Sequence, residues 1–360
     1  MRYIIIYFFF HLLYPSADTL VVINNKVITK NDFLRRAEYT IRPTYCNSDN
    51  NIDKKIYYAD KESFKNSFLE ISKLLNEPMG DSSIIPTYII QKKIKNYSNV
   101  SIGGDGGDES FFGYITFDAF YLAKFFKKIV PFFILNILKR FSNILKGSSD
   151  YITFKTKLKK FLSSINLEEK YLLPSWMSCL DKKNLKILLG ENNKNDIFFE
   201  EMDLLFSKKN HFMRNAQIYH FKFYLPMILS KIDQASMFNS IESRSPFLSK
   251  KIINFSLEND TSKFYSLSNK KKFLKKTFKK IIPKNVLNRK KHGFAFPKEV
   301  LLKDKKFIDQ FIDYNLLLNK NFFIEKYNNF INKNEDNSQY IWNELMLNIS
   351  LQNLNVSKIS

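Results

Sequence analysis

Four of the nine glycines in this 360-residue chain fall within five positions: Gly103, Gly104, Gly106 and Gly107, with Asp105 among them. Asp108 and Glu109 follow at once, and only one glycine, Gly80, precedes the cluster. An apolar lead-in, Val100-Ser101-Ile102, enters it, and the aromatic run Phe111-Phe112-Gly113-Tyr114 leaves it toward a helical pattern. A strand that ends in a glycine-rich turn and opens a helix presents backbone N–H groups to phosphate. Carboxylates in such a turn can hold a phosphate-bound metal or steer an amine. An EF-hand is excluded, because counting from Asp105 places Gly107 where the third loop position needs Asp or Asn. A glycine–aspartate repeat is excluded because there is one copy. On local pattern alone the cluster reads equally well as a phosphate site and as a solvated turn.

Composition narrows the classes. The chain is 44% hydrophobic with 36 Phe, enough for one large core or two ordinary ones. Two cysteines, Cys46 and Cys179, cannot frame a disulfide scaffold, and four histidines show no metal-ligand spacing. The net charge of +22 suggests nucleic acid at first. Only eight of the 57 cations are Arg, however, and the Lys residues spread along the C-terminal two thirds among Asn, Ile and Phe. Bidentate recognition favours Arg, so the reading is a solvated lysine surface with no nucleic-acid partner.

Residues 3–13 are almost wholly apolar but too few to span a bilayer, so no spanning membrane segment is expected. They read best as a buried strand; a signal peptide and a misplaced start are the alternatives. Further strands are expected at 19–23, 55–58 and 98–103. Helices are expected at 62–76 and 84–97, then at 116–128, 131–146, 152–164, 183–190, 197–207, 211–230, 249–257 and 271–280, with no strand between 115 and 290. The Gly147–Asp150 step reads as an inter-helix turn, and the last sixty residues read as helical with a loop at 332–338. A helix, a strand, a loaded turn and a helix form a piece of an α/β layered fold.

Four segments, taken in order, resemble one family. They are Glu77-Pro78-Met79-Gly80-Asp81-Ser82-Ser83 on to Tyr88; Gly103 to Glu109 with Phe112-Gly113-Tyr114; Tyr224-Leu225-Pro226 through Lys231-Ile232-Asp233-Gln234-Ala235-Ser236-Met237 to Glu242-Ser243-Arg244-Ser245-Pro246-Phe247-Leu248; and Lys271 to Lys276 with Arg289 to Phe294 and Pro297. Over roughly residues 60–300 the chain resembles the C-terminal synthetase domain of glutamine-hydrolysing asparagine synthetases.

The resemblance implies an α/β fold: an incomplete Rossmann-like parallel sheet of the ATP-pyrophosphatase type followed by a mostly helical C-terminal region. It implies a division into a strand and loop remnant (1–60), a synthetase domain (61–300) and a helical tail (301–360), in a cytoplasmic protein. It also implies a reaction. ATP activates the carboxylate of aspartate, or of a related acid, as an acyl-adenylate, and ammonia from a glutaminase domain absent here attacks it. ATP and Mg²⁺ are the implied cofactors.

By the same resemblance Asp105 and Lys271 are the candidate catalytic residues and Asp108 the Mg²⁺ ligand. Gly103, Gly104, Gly106, Gly107, Glu77, Asp81 and Ser82 are the candidate substrate- and nucleotide-binding positions. Family members often carry Ser where this chain has Gly103. Asp233, Glu242 and Arg244 read mainly as scaffold, with a buried Arg244 paired to an acid.

The sequence also departs from the family. It contains no Ser-Gly-Gly-x-Asp-Ser pyrophosphate loop, and Arg2 follows Met1 where the family's glutaminase half carries a Cys nucleophile. Three readings follow: a truncated synthetase, a degenerate partner module without catalysis, or a chain whose partner chain supplies the missing loop. An amidotransferase for another carboxylate is the remaining alternative. The loop's absence removes charge-assisted hydrogen bonds worth about 1.5–3 kcal/mol each. The isolated chain is therefore expected to give no aspartate-dependent ATP–pyrophosphate exchange.

Overall fold

A computed structural model of the chain describes residues 21–23, 26–28, 37–41, 55–142, 154–189, 196–207, 210–280, 298–333 and 335–356, with positions 282 and 287. The expected strand at 3–13, the turn at 147–150 and the segment Arg289 to Pro297 lie outside these residues.

The protein is a mostly helical α/β structure. Strands β1 (Val21–Ile23) and β2 (Lys26–Ile28) pair antiparallel, as do β3 (Ala37–Ile41) and β4 (Lys55–Ala59). Helix α1 (Lys61–Ser72) starts on Asp60, whose carboxylate accepts from the Ser63 N–H at 2.9 Å. Its stripe Phe64, Phe68 and Ile71 is buried, as the helical spacing requires. Helix α2 (Ile84–Ile94) is apolar on most sides and correspondingly buried. Strand β5 (Val100–Ile102) leads through the glycine turn into the single helical turn α3 (Gly107–Ser110).

Helices α4 (Ile115–Ile129), α5 (Phe132–Ser142), α6 (Phe154–Ser164), α7 (Glu169–Met177), α8 (Lys182–Leu189) and α9 (Asp196–Ser207) follow. The periodicity at 211–230 predicts one helix. The structure instead has α10 (Phe212–Tyr219), a wide π turn over His220–Tyr224, and α11 (Leu225–Met237). Pro226, in the first turn of α11, has no N–H to offer a preceding carbonyl, so the hydrogen-bond ladder widens before it.

Strand β6 (Glu242–Arg244) corrects the expectation of a strand-free stretch from 115 to 290. It pairs parallel with β5 in the register Val100↔Glu242, Ser101↔Ser243, Ile102↔Arg244. Its three polar residues carry no strand propensity; the pairing itself makes the strand. Helices α12 (Lys250–Glu258), α13 (Thr261–Phe264), α14 (Lys272–Thr277), α15 (Glu299–Leu302), α16 (Lys305–Ile308), α17 (Lys320–Ile331) and α18 (Ser338–Asn353) follow among the described residues.

Among the described residues two apolar cores form. The first joins α1 and α2 to α15, α16, α17 and α18, centred on Phe68, Ile84 and Trp342. Trp342 donates its indole N–H to the Met79 carbonyl at 3.0 Å, which ties α18 to the loop before α2. The second is rich in rings: Phe111, Phe112, Phe117, Phe120, Trp176, Tyr219 and Phe264 pack among α3, α4, α7, α10 and α13. Ala235 of α11 belongs to the first core, whereas Phe111 and Phe112, just past the glycine turn, belong to the second. The turn therefore leads directly into the second core.

Candidate functional site

The glycine turn takes its path from β5. The Gly103 N–H donates to the Arg244 carbonyl at 2.8 Å, which carries the β5–β6 ladder one residue further. Gly106 then adopts φ +83°, and a Cβ there would overlap Leu248, coming within 2.9 Å of its Cγ. Both facts require glycine at this point. Gly104 is exposed, and a Cβ there would meet nothing within 4 Å, so its backbone faces open space.

Charged groups gather about the two carboxylates of the turn. Asp105 is half-buried behind Gly104 and accepts from the Ser245 hydroxyl at 3.4 Å. Burial pushes its carboxyl up, while the charge of Lys231 and the Ser245 hydroxyl work against that shift. Asp108 meets Lys271, with Nζ 3.0 Å from Oδ1. Lys271 stands in the left-handed region (φ 54°) just before α14, a position costing about 1–2 kcal/mol for a residue with a Cβ. A Cβ on Gly113 would overlap Asp108 Oδ1 and come within 2.6 Å of Lys271 Cε. Glycine at 113 is thus a condition of the Asp108–Lys271 pair. Of the residues singled out in the sequence, the structure pairs Asp108 with Lys271 and sets Asp105 within electrostatic reach of Asp108.

Lys231 is the residue that sequence reasoning left without a role. Its side chain is only 9% exposed. Nζ donates to Asp81 Oδ2 at 2.9 Å and to Ser83 Oγ at 2.9 Å, and the Ser83 N–H donates to Asp81 Oδ1 at 2.9 Å. Burial works to raise the Asp81 carboxyl, and Lys231 with Ser83 overrides it, so the carboxyl is held below its usual range. The pair ties the start of α2 to α11 and places a cation near Asp105. A single Lys in an otherwise uncharged stretch of α11 before Asp233 is the only sequence hint of this role.

Glu109 was also missed as an individual residue. It is buried, accepts from the Tyr114 hydroxyl at 2.7 Å, and has its carboxyl pushed up by burial. Gln217 donates to the carbonyls of Glu109 at 3.2 Å and Ser110 at 3.1 Å, which pins α3 to α10. His220 lies stacked on Tyr114 with ring centroids 5.3 Å apart. Its Nδ1 sits 2.7 Å from the Ala216 carbonyl and its Nε2 2.9 Å from the Thr116 hydroxyl. A carbonyl only accepts, so Nδ1 carries the proton and Nε2 accepts from Thr116. Burial lowers this imidazole to about 4 and keeps it neutral.

The remaining expected residues sit apart from this convergence. Glu77 is exposed on the loop after α1, and Ser82 lies half-buried in the turn before α2. Asp233 is exposed. Arg244 corrects the expectation of a buried scaffold pair: it is 63% exposed and meets Glu242 at 2.9 Å on the open face of the β5–β6 pair. That face also exposes Val100 and Ile102. Among the described residues no group of three or more His, Cys, Asp or Glu is arranged to hold a metal. A Mg²⁺ that completes its shell with phosphate and water needs only one or two carboxylates. Asp108, with Asp105 beside an open backbone, fits that more modest demand.

The asparagine synthase family model matches residues 48–352, most of the chain. The chain belongs to the asparagine synthase family. Among curated relatives it is 25% identical over 316 residues to asparagine synthetase [glutamine-hydrolyzing] 1 of Bacillus subtilis, covering 86% of this chain and 48% of that protein. It is 32% identical over 116 residues to the putative asparagine synthetase [glutamine-hydrolyzing] 2 of Methanocaldococcus jannaschii, covering 32% of this chain and 22% of that one. It is 23% identical over 247 residues to a putative asparagine synthetase [glutamine-hydrolyzing] of Mycobacterium bovis, covering 68% and 36%. This asparagine synthase family chain thus spans less than half the length of each of these relatives. No solved structure matches it.

Proposed function

We propose that this chain carries the nucleotide- and carboxylate-handling half of an ATP-dependent amide-forming ligase, with aspartate as the acceptor acid. The observation that carries the reading is a glycine turn, open at Gly104, whose two carboxylates each have a cation: Asp108 pairs with Lys271, and the charge of Lys231 acts on Asp105. The parallel β5–β6 pair, joined by a long helical crossover, supports an incomplete Rossmann-like sheet of the ATP-pyrophosphatase type as the scaffold.

In this reading the Gly103–Gly107 backbone lies along the phosphates, where any side chain would obstruct approach. Asp108, with Asp105 alongside, would hold Mg²⁺; when bound, the ion supplies charge neutralisation on the phosphates. Lys271 exchanges its contact with Asp108 for the developing phosphate charge as the acid is activated. Asp105 orients the incoming amine. Lys231 is a positioning residue that holds the Asp81 carboxyl down and works against the burial that raises Asp105. The acceptor acid and the source of ammonia follow the names of the relatives.

The experiment is equilibrium binding of ATP with Mg²⁺ to the full chain and to Gly104→Val. The wild type is expected to bind, and Gly104→Val to fold with an unchanged thermal midpoint yet bind about tenfold or more weakly. Equal binding by the two would refute the reading. Aspartate-dependent pyrophosphate exchange by the chain alone is expected to be absent, so binding and turnover are separate readouts.

A further inference from the structure

The net charge is not spread evenly. From Ala119 to Leu167 the sequence holds ten Lys or Arg residues and a single acid, Asp150. This stretch contains most of α4, then α5, the connection to α6 and α6 itself. Helices α5 and α6 pack on each other, joined by an Asn166–Asn136 side-chain hydrogen bond of 2.8 Å.

Leu135 is the apolar side chain that α5 buries, and Leu138 packs partly buried against the same ring-rich core. On the opposite side it turns apolar residues outward. Ile129, at the end of α4, and Phe132, Phe133, Ile137 and Phe141 are each 47–64% exposed. Phe133, Ile137 and Phe141 follow one another at intervals of four, so they form one stripe along α5, with Ile129 exposed at the end of α4 before it. Lys128 and Arg140 are exposed beside that stripe, and Lys155 is exposed on α6.

An outward apolar stripe bordered by cations has a small set of natural partners. A second copy of this chain would bring its own cations against these, and like charges would oppose the contact. Duplex nucleic acid would satisfy the lysines but leave the Ile and Phe side chains in water. An anionic lipid surface satisfies both, because phosphate headgroups meet the cations while the Ile and Phe side chains enter the acyl boundary. We propose that the α5–α6 pair is a peripheral docking surface for anionic membranes, with α5 lying in the plane of the interface. No described helix is long and apolar enough to cross a membrane, so the contact is superficial.

The test is co-sedimentation of the full chain with large vesicles, either phosphatidylcholine alone or phosphatidylcholine with about three parts in ten phosphatidylglycerol. Binding is expected only to the anionic vesicles and is expected to weaken with added salt. The double variant Phe133→Glu, Ile137→Glu is expected to lose it. The double variant Lys128→Gln, Arg140→Gln keeps the stripe and is expected to bind about thirtyfold more weakly, at about 1 kcal/mol per cation. All four positions are exposed, so circular dichroism and the thermal midpoint should match the wild type. Equal binding by the Phe133→Glu, Ile137→Glu variant overturns the proposal. So does binding to neutral vesicles alone, or no vesicle binding by the wild type. Self-association abolished by Phe133→Glu, Ile137→Glu without vesicle binding overturns it in favour of a second copy. Salt-sensitive binding to duplex DNA without vesicle binding overturns it in favour of nucleic acid.

Discussion

Replacing Lys231 with Met removes a buried cation and leaves its partners in place. Asp81 keeps the Ser83 N–H but loses its only described ion-pair partner, with its side chain just 21% exposed. Breaking a buried pair by removing one partner costs about 3–5 kcal/mol, and the partial exposure of Asp81 reduces this to about 2–3 kcal/mol. At about 2 °C per kcal/mol for a chain of this size, the thermal midpoint should fall by about 5 °C at neutral pH.

The pH dependence sharpens the test. In the wild type the folded Asp81 carboxyl lies below its unfolded value, so its contribution is present above about pH 4 and is lost as pH falls through the folded value. In the variant the same carboxyl, buried without a cation, is pushed up instead. The gap between the two proteins should therefore be widest at neutral pH and should close below about pH 4. Urea unfolding at a series of pH values, with Asp81→Asn and the double variant completing the cycle, measures it. Recovery in the double variant of more than half the loss is expected. A gap that stays constant with pH, or a double variant as unstable as the sum of the singles, would refute the argument.

The other expectations concern the turn and two buried titratable groups. Gly106→Ala forces a Cβ into a left-handed residue and against Leu248, so urea unfolding should show a loss of about 1–3 kcal/mol, with Leu248→Ala relieving only the overlap. Burial raises the Glu344 carboxyl to about 7, so its charged form opposes folding increasingly as pH rises from about 4.5 to 7. Glu344→Gln should accordingly be the more stable protein at about pH 8, by on the order of 3 kcal/mol, and the two should converge near pH 4 in thermal melts. His220, held neutral down to about 4, should keep an imidazole resonance that does not titrate between about pH 8 and 5 by NMR. A midpoint near 6.5 would contradict its burial.

The parts of this fold that are local in sequence were legible there. The Phe64, Phe68, Ile71 spacing set the start of α1 within one residue, though Leu74 and Leu75 carried the expected helix four residues past its end, and the glycine cluster marked the sharp turn. The split of the expected 211–230 helix was hidden because apolar periodicity runs straight through the π turn; only Pro226 hinted at it. Strand β6 was invisible because Glu-Ser-Arg becomes a strand only by pairing with β5. In the site, the Gly–Asp run and Lys271 announced themselves by composition and resemblance. The Lys231–Asp81 pair joins residues 150 positions apart, and no spacing rule relates them. Arg244 was misjudged because a charged residue beside a Ser and a Pro carries no signal of which face it will occupy.

The chain has two tryptophans, one in each core. Trp342 sits against Met79 in the first core, and Trp176 bonds to Ser164 Oγ in the second. Trp176→Phe and Trp342→Phe thus yield two proteins whose fluorescence each follows one half of the molecule. If the halves unfold independently, their emission curves separate along the denaturant axis. A molecule that tied the two halves together would draw the two curves into one without touching either indole.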